Sequence, residues 1–406
     1  MDLNGGGRVK FIIPKGLRPS HDGVHPEELV DYNRLLEVEA KSEDQDGPDI
    51  DAEIVINPVA VIRRLRKMVS DVFSQLRGGR VVIGLKAQQN KSGQRILECD
   101  LTGDKLYQPG AYYAIQLVTI FVIAEWNILS KRPIVWTARL LHYFFPWLFP
   151  APSFVARILG NICEEFEIDS AHFGVSASPK GEIAGAGLTI ETKDGTIITL
   201  SNTFFTRILD TRLIVKVTLA PGVTDFVVLE ALCSGRPMVE AGLTHETALG
   251  DIPACVLRGL PDQDTRRFLK MIQRQYPRLR FRAFVDWNPA GAGIMKLLKC
   301  GSLHQGYFLD YALDNIDWVG PRRDQFPPSC IERFHPLSGW DRARAISMLA
   351  REEAEANLPR DWTAELKAMY DEDIKIDFEH LCCTPGTAIE YIVGSILARR
   401  SLESSG

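Results

Sequence analysis

Residues 254–286 read ACVLRGLPDQDTRRFLKMIQRQYPRLRFRAFVD, and this stretch decides the fold class. Two short apolar runs, Ala254–Leu257 and Arg282–Val285, flank the helix-length spacer DTRRFLKMIQRQY. An earlier run, Phe226–Leu229 (FVVL), opens the same series. Unbroken apolar strands separated by helices make an α/β unit, a parallel sheet wrapped by helices on both faces. Downstream of about Leu337 the pattern is helical, and Glu352–Glu379 is acidic.

On the N-terminal side, TIETKDGTIITL (189–200) alternates as a hairpin turning at Asp194-Gly195. It follows KGEIAGAG (180–187) and the strand-like segment His172–Ser178. Helical patterns precede these. Asn57–Leu76 places Val59, Ile62, Leu65, Val69 and Phe73 near one stripe, and Tyr112–Leu129, Pro133–Phe145 and Ser153–Phe166 follow. Several short helices, then strands with a tight turn, make the pattern of a winged-helix module. Residues 1–52, rich in Gly, Pro, Asp and Glu, read as a disordered tail.

Composition narrows the function classes. With 45% hydrophobic and 24% charged residues over 406 positions, the chain is neither wholly disordered nor a disulfide framework. Its 47 Lys+Arg against 52 Asp+Glu confine any polyanion site to a local patch. The 8 cysteines form no Cys-x-x-Cys pair, which fits a reduced compartment, cytosolic or nuclear. The start, MDLNGGGRVK, lacks the apolar segment of a secretory signal. The most apolar window, Ala111–Leu129, carries Gln116, Glu125 and Asn127 and reads as a buried helix. There is no G-x-x-x-x-G-K-[ST] loop, and Gly291-Ala292-Gly293 is too short for a dinucleotide fingerprint.

Parallel sheets place ligands beyond the carboxyl ends of their strands. Glu230 follows FVVL directly, Asp286 follows RAFV directly, and Asn288 comes two residues later. Two strand-end acids converging on one crevice suit Mg2+, which takes one or two carboxylates with water and phosphate. The plainer alternative is that each acid caps a helix. Arg266, Arg267 and Lys270, within a longer basic run, make either a DNA footprint or a solvated helix face. Lys180 sits in a Lys-Gly turn able to meet a phosphate, or simply approaches the hairpin.

The run VLEA (228–231), then CVLRGLPDQDTRRFL, then FVDWNPAGAGIMKLLKCGS resembles the Toprim domain of the topoisomerase VI A-type family. That family includes the meiotic DNA double-strand-break transesterases. NPVAVIRRLRKMVSDVF resembles the family's leading helix, FGVSASPKGEIAGAG its segment between two domains, and WVGPRRDQ, LSGWDRARAISML and WTAELKAMYDEDIKIDFEHL its C-terminal elements in order, so the likeness spans about residues 54–400. The resemblance implies a winged-helix DNA-binding domain over 53–185 and a Toprim domain with C-terminal helices over 186–406. It also implies duplex DNA as ligand, a homodimer, Mg2+ on Glu230, Asp286 and Asn288, a B-type partner that hydrolyses ATP, and a nuclear location.

In that family a winged-helix tyrosine attacks a DNA phosphodiester and stays linked to the 5′-phosphate. The matching stretch here is SKRPIVWTARLL. Arg132 and Ile134 match the family's motif, but Trp136 stands at the nucleophile's position. Indole has an N–H donor and no hydroxyl. Asn288 stands where the family has an acid, and an amide oxygen brings no charge to a cation. Tyr143, Tyr112 and Tyr113 lie nearby as substitutes or as core aromatics, and Arg132 either steers a phosphate or starts a helix on the surface. The resemblance therefore leaves three functions in play. They are a tyrosine transesterase of meiotic break formation, a non-catalytic DNA-binding scaffold of break-forming complexes, and a Mg2+ phosphotransfer protein without a tyrosine step. The helical N-terminal half counts against the third.

Overall fold

The structure is a computed structural model describing residues 58–77, 80–85, 95–100, 109–129, 136–166, 175–176, 180–185, 187–301, 311–326, 332–355, 357–381 and 384–404. Arg132, Tyr112 and Tyr113 side chains and the 1–52 tail lie outside this description.

The N-terminal unit opens with α1 (Pro58–Arg77), whose Leu65 is buried while Arg63, Arg66 and Lys67 are exposed. An antiparallel pair follows, β1 (Arg80–Leu85) with β2 (Arg95–Asp100), which the sequence pattern did not suggest. Next come α2 (Pro109–Leu129), β3 (Trp136–Thr137), α3 (Ala138–Phe144), α4 (Pro152–Phe166) and β4 (Val175–Ser176). Leu65, Leu117, Ile120, Phe121, Leu141, Phe149, Val155, Ile158, Ile162 and Val175 close into one core. The helix expected from Pro133 begins only at Ala138, because Thr137 caps it: its Oγ1 accepts the Leu140 N–H at 3.0 Å. Trp136 therefore lies before that helix, in a strand paired in parallel with Val175.

The second unit is built on a six-stranded sheet. Its strands are β5 (Glu182–Ala184), β8 (Thr206–Arg207), β10 (Asp225–Leu229), β11 (Ala254–Val256), β12 (Arg280–Phe284) and β13 (Ile316–Gly320), in the order β13-β12-β10-β11-β5-β8. The four strands from β13 to β11 run parallel, and β5 and β8 add antiparallel at one edge. Glu182–Ala184 thus belongs to this sheet, upstream of the boundary expected at 186. Between β5 and β10, β6 (Thr189–Thr192), β7 (Ile197–Thr199) and β9 (Ile214–Thr218) form a separate three-stranded sheet. The expected hairpin is its β6–β7 pair, with Gly195 at φ 82° in the turn. Its Leu188, Ile190 and Val217 pack in the same core as Phe226. The hairpin therefore belongs with the second unit and is no wing of the first.

Every residue of β10 is buried, because alternate side chains enter opposite layers. Phe226 and Val228 meet the layer containing α6 (Gln263–Gln275) and α7 (Pro289–Cys300). Val227 and Leu229 meet α5 (Leu232–Glu240) and the C-terminal α11 (Pro385–Ser404). Between these come α8 (Gly339–Glu355), α9 (Arg360–Glu372) and α10 (Phe378–Leu381), flanked by the short strands β14 (His335–Pro336) and β15 (Ile374–Lys375). Their acidity is largely spent in ion pairs, Glu372 on Arg323, Asp373 on Arg342 and Glu352 on Lys296.

Asp225 at the amino end of β10 and Arg282 in the middle of β12, with side chains each 1% exposed, form a buried ion pair. Arg400 adds to Asp225 at 2.6 Å and Glu403 to Arg282 at 2.8 Å, which ties the last turns of α11 to the sheet.

Candidate functional site

The candidate site lies at the opposite, carboxyl end of the parallel strands. Register puts Leu229 beside Phe284, so the residues that follow, Glu230 and Asp286, emerge side by side. The Asp286 backbone N–H donates to Glu230 Oε2 at 3.0 Å. Asp286 Oδ1 in turn accepts the Phe378 N–H at 2.9 Å. Residues 287 and 376 exchange backbone hydrogen bonds at 3.0 and 3.1 Å, which lays the segment 376–380 beside both acids. Two further carboxylates, Asp377 and Glu379, are thereby added to the neighbourhood, and Cys233 Sγ donates to Glu379 Oε1 at 3.2 Å.

Both central carboxyls are half-buried, and both titrate above the ordinary carboxylate range. For Glu230 the largest cause is burial, then the charge of Asp286, with Glu379 and Asp377 adding to it. For Asp286 burial again leads, and the Phe378 N–H opposes it. Like charges gathered in a half-buried crevice have an unmet demand for a cation. Two carboxylates in one crevice would fit a hard cation such as Mg2+, which takes one or two carboxylates together with water and phosphate.

Asn288 does not join them as a third donor. Its Oδ1 caps α7 by accepting the Gly291 N–H at 2.8 Å, and the residue is buried. Among the described residues, no group of three or more His, Cys, Asp or Glu side chains is disposed to hold a metal. The donor set that fits is the Glu230–Asp286 pair. A Cβ on Gly291 would lie 2.1 Å from the Asp286 carbonyl oxygen, so the glycine is what lets α7 start against the acid's own backbone.

Lys180 lies at the same end of the sheet, since Glu182 pairs with Val256. It is exposed, its N–H donates to Asp262 Oδ2 at 2.9 Å, and its Nζ reaches the Leu260 carbonyl at 3.3 Å. The basic run on α6 is a different matter, and here the structure corrects the sequence reading. Arg266 is 1% exposed and Lys270 8% exposed. Arg267 donates to the hydroxyls of Tyr311 and Thr211 and to Asp264, while Lys270 Nζ bonds the Ala312 carbonyl. The aliphatic stems run inward and the heads hold the segment 311–314, so these three cations do not form a phosphate-facing surface.

Trp136 is 8% exposed and stacks edge-on against Phe144 with centroids 5.7 Å apart. Its indole N–H finds no acceptor among the described residues. Tyr143, by contrast, is 73% exposed on α3.

The sequence reading missed Asp377, Glu379 and the bridge that delivers them. These residues lie about ninety positions downstream of Asp286, and only the 287–376 pairing reveals their place.

The Toprim-domain model shared by topoisomerase 6 A chains and Spo11 matches residues 245–398, a span that includes Asp286 and Asn288 and begins after Glu230. Among characterised proteins, the chain is 27% identical over 275 residues to meiotic recombination protein SPO11-1 of Oryza sativa subsp. indica, covering 65% of this chain and 69% of that protein. It is 30% identical over 143 residues to SPO11-2 of Arabidopsis thaliana, covering 35% of this chain and 36% of that protein. It is 28% identical over 185 residues to meiotic recombination protein rec12 of Schizosaccharomyces pombe, covering 46% and 50%. Among the described residues, no helix is long and apolar enough to cross a membrane.

Proposed function

Because the chain belongs to the topoisomerase VI A-type and Spo11 family, whose Toprim domain it carries, we propose that it takes part in meiotic DNA double-strand-break formation and recombination, with duplex DNA as its ligand. The observation that carries this reading is the convergence of Glu230 and Asp286 at the carboxyl ends of β10 and β12. In our reading these two acids hold Mg2+. The bound ion supplies positive charge against phosphoryl oxygens. The chain's own residues do the rest. Asp286 is oriented by the Phe378 N–H, Glu230 by the Asp286 N–H, and Lys180 stands at the rim for the phosphate backbone.

The same reading assigns the N-terminal unit, through β4, to a winged-helix DNA-binding domain, the strands and helices from Glu182 onward to the Toprim domain with its C-terminal helices, and 1–52 to a tail. Two copies act together in the nucleus, beside a B-type partner that hydrolyses ATP, since this chain has no phosphate-binding loop of its own.

One observation favours a second reading for the chemical step. Family transesterification needs a hydroxyl at the position held here by Trp136, and that indole is buried in a core. The chain would then bind DNA within a break-forming complex without cutting it. A denaturing gel of end-labelled duplex, incubated with the full chain, Mg2+ and a B-type partner, separates the two. A protein-linked strand establishes the transesterase, and its absence establishes the scaffold. Mg2+ calorimetry on the native chain and on Glu230→Gln tests the metal site shared by both, and unchanged binding in the variant removes it.

A further inference from the structure

Arg344 lies on α8, which packs across α7 above the acid crevice. The start of α8 is fixed by reciprocal bonds: the Ser338 N–H donates to Asp341 Oδ2 at 3.0 Å and the Asp341 N–H donates to Ser338 Oγ at 3.1 Å. One turn on, the Arg344 guanidinium lies against the backbone of Gly293 in α7. A Cβ there would meet Nη2 at 2.1 Å and Cζ at 2.9 Å, so the second glycine of Gly291-Ala292-Gly293 is the slot that admits this side chain. The Trp340 ring also meets it, 5.0 Å from centroid to Cζ.

The charge of Arg344 is unspent. Among the described residues it makes no ion pair and no hydrogen bond, whereas its helix neighbour Arg342 is paired with Asp373. Glu230 lies within electrostatic range of it yet does not bond it. Half-burial works against the guanidinium's charge and holds it below the ordinary arginine range, with Glu230 and Asp341 opposing that shift. A planar fork with five donors, set against a glycine backbone and an indole ring within electrostatic range of Glu230, is suited to phosphate oxygens.

We propose that Arg344 binds a non-bridging oxygen of the DNA phosphate drawn to the Glu230–Asp286 crevice, and that Gly293 exists to seat it. The proposal rests on the reading that this crevice meets DNA. Binding of a short duplex to the full chain is measured over a range of salt concentrations, with Mg2+ and with EDTA. Arg344→Gln should weaken Mg2+-dependent binding about tenfold and lower the salt slope by about one. Gly293→Ala keeps Arg344 but fills its slot, and alanine suits a helix better than glycine, so the fold is preserved. It should reproduce the loss, and combining the two changes should add little to either. Arg344→Lys should recover the slope but only part of the affinity, because the ammonium lacks the fork.

The outcomes separate cleanly. Native binding that responds to Mg2+, with Arg344→Gln and Gly293→Ala within twofold of it at unchanged slope, overturns the role of Arg344 and leaves the crevice reading standing. Native binding indifferent to Mg2+ and to Glu230→Gln overturns the crevice reading and this proposal with it. Should Arg344→Gln lose its fold, Gly293→Ala and Arg344→Lys carry the comparison alone. A merely structural arginine would shift the melting temperature without changing the salt slope.

Discussion

Replacing Trp136 by tyrosine restores the family's residue type at its matched position, and the structure says it will not restore chemistry. Trp136 is 8% exposed, among Leu65, Phe121, Leu141 and Val175. Exchanging indole for phenol removes apolar bulk worth about two methylenes, about 1.6 kcal/mol. It also weakens the edge-on contact with Phe144, worth about 0.5–1.5 kcal/mol. The polar contributions nearly cancel, because an unpartnered indole N–H gives way to a similarly placed hydroxyl. Trp136→Tyr should therefore cost about 2–3 kcal/mol. Trp136→Phe loses the same bulk but removes the orphan donor, and should be more stable than the tyrosine variant by about 1–3 kcal/mol. Urea unfolding followed by tryptophan fluorescence and circular dichroism measures both. The tyrosine variant should form no covalent adduct with end-labelled duplex in Mg2+, since its hydroxyl points into the core. Equal stability of the Phe and Tyr variants, or a protein-linked strand from Trp136→Tyr, would refute the reasoning and place this side chain in a wet, DNA-facing cleft.

Asn288→Asp should keep the α7 cap, because aspartate caps as well as asparagine, and should tighten Mg2+ binding in calorimetry several-fold by adding charge beside Asp286. Burial and mutual repulsion raise the folded-state titration of the Glu230–Asp286 pair above the unfolded value. The metal-free fold is therefore favoured by protonation, gaining stability as pH falls from about 8 toward 4.5 and losing it as pH rises through that window. Melting curves of Glu230→Gln should show that pH slope flattened. Asp225→Ala leaves Arg282 paired with Glu403 and Asp317 but removes the buried hydrogen bonds that Asp225 accepts from Arg282 and Arg400, and should cost about 1–3 kcal/mol in urea unfolding. Lys270→Met should leave DNA affinity and its salt slope unchanged, and a reduced slope would return α6 to the DNA surface.

Much of the second unit was legible because parallel strands buried on both faces must be apolar throughout. FVVL, ACVL and RAFV announced themselves for that reason, and the residue after each strand had to emerge at the sheet's carboxyl end. Glu230 and Asp286 were readable on the same ground, as was the Asp194-Gly195 turn, whose geometry demands glycine. Where a charge goes, and what it meets, was not encoded locally. The sequence showed Arg266, Arg267 and Lys270 as a basic run, but a long side chain carries its head several ångströms from its stem, and only the segment 311–314 decides that these heads turn inward. Asn288 entered as a metal ligand only through the family resemblance, and the start of α7 claims its oxygen instead. Trp136 read as a lost nucleophile on a helix, and the Thr137 cap with the Val175 pairing made it a core residue before one. Gly293 and Arg344 lie 51 positions apart, and nothing local joins them until α8 packs on α7. Backbone periodicity is a short-range property and survives in the sequence, whereas the partner of a charged or polar atom is fixed by long-range packing and exists only in the folded chain.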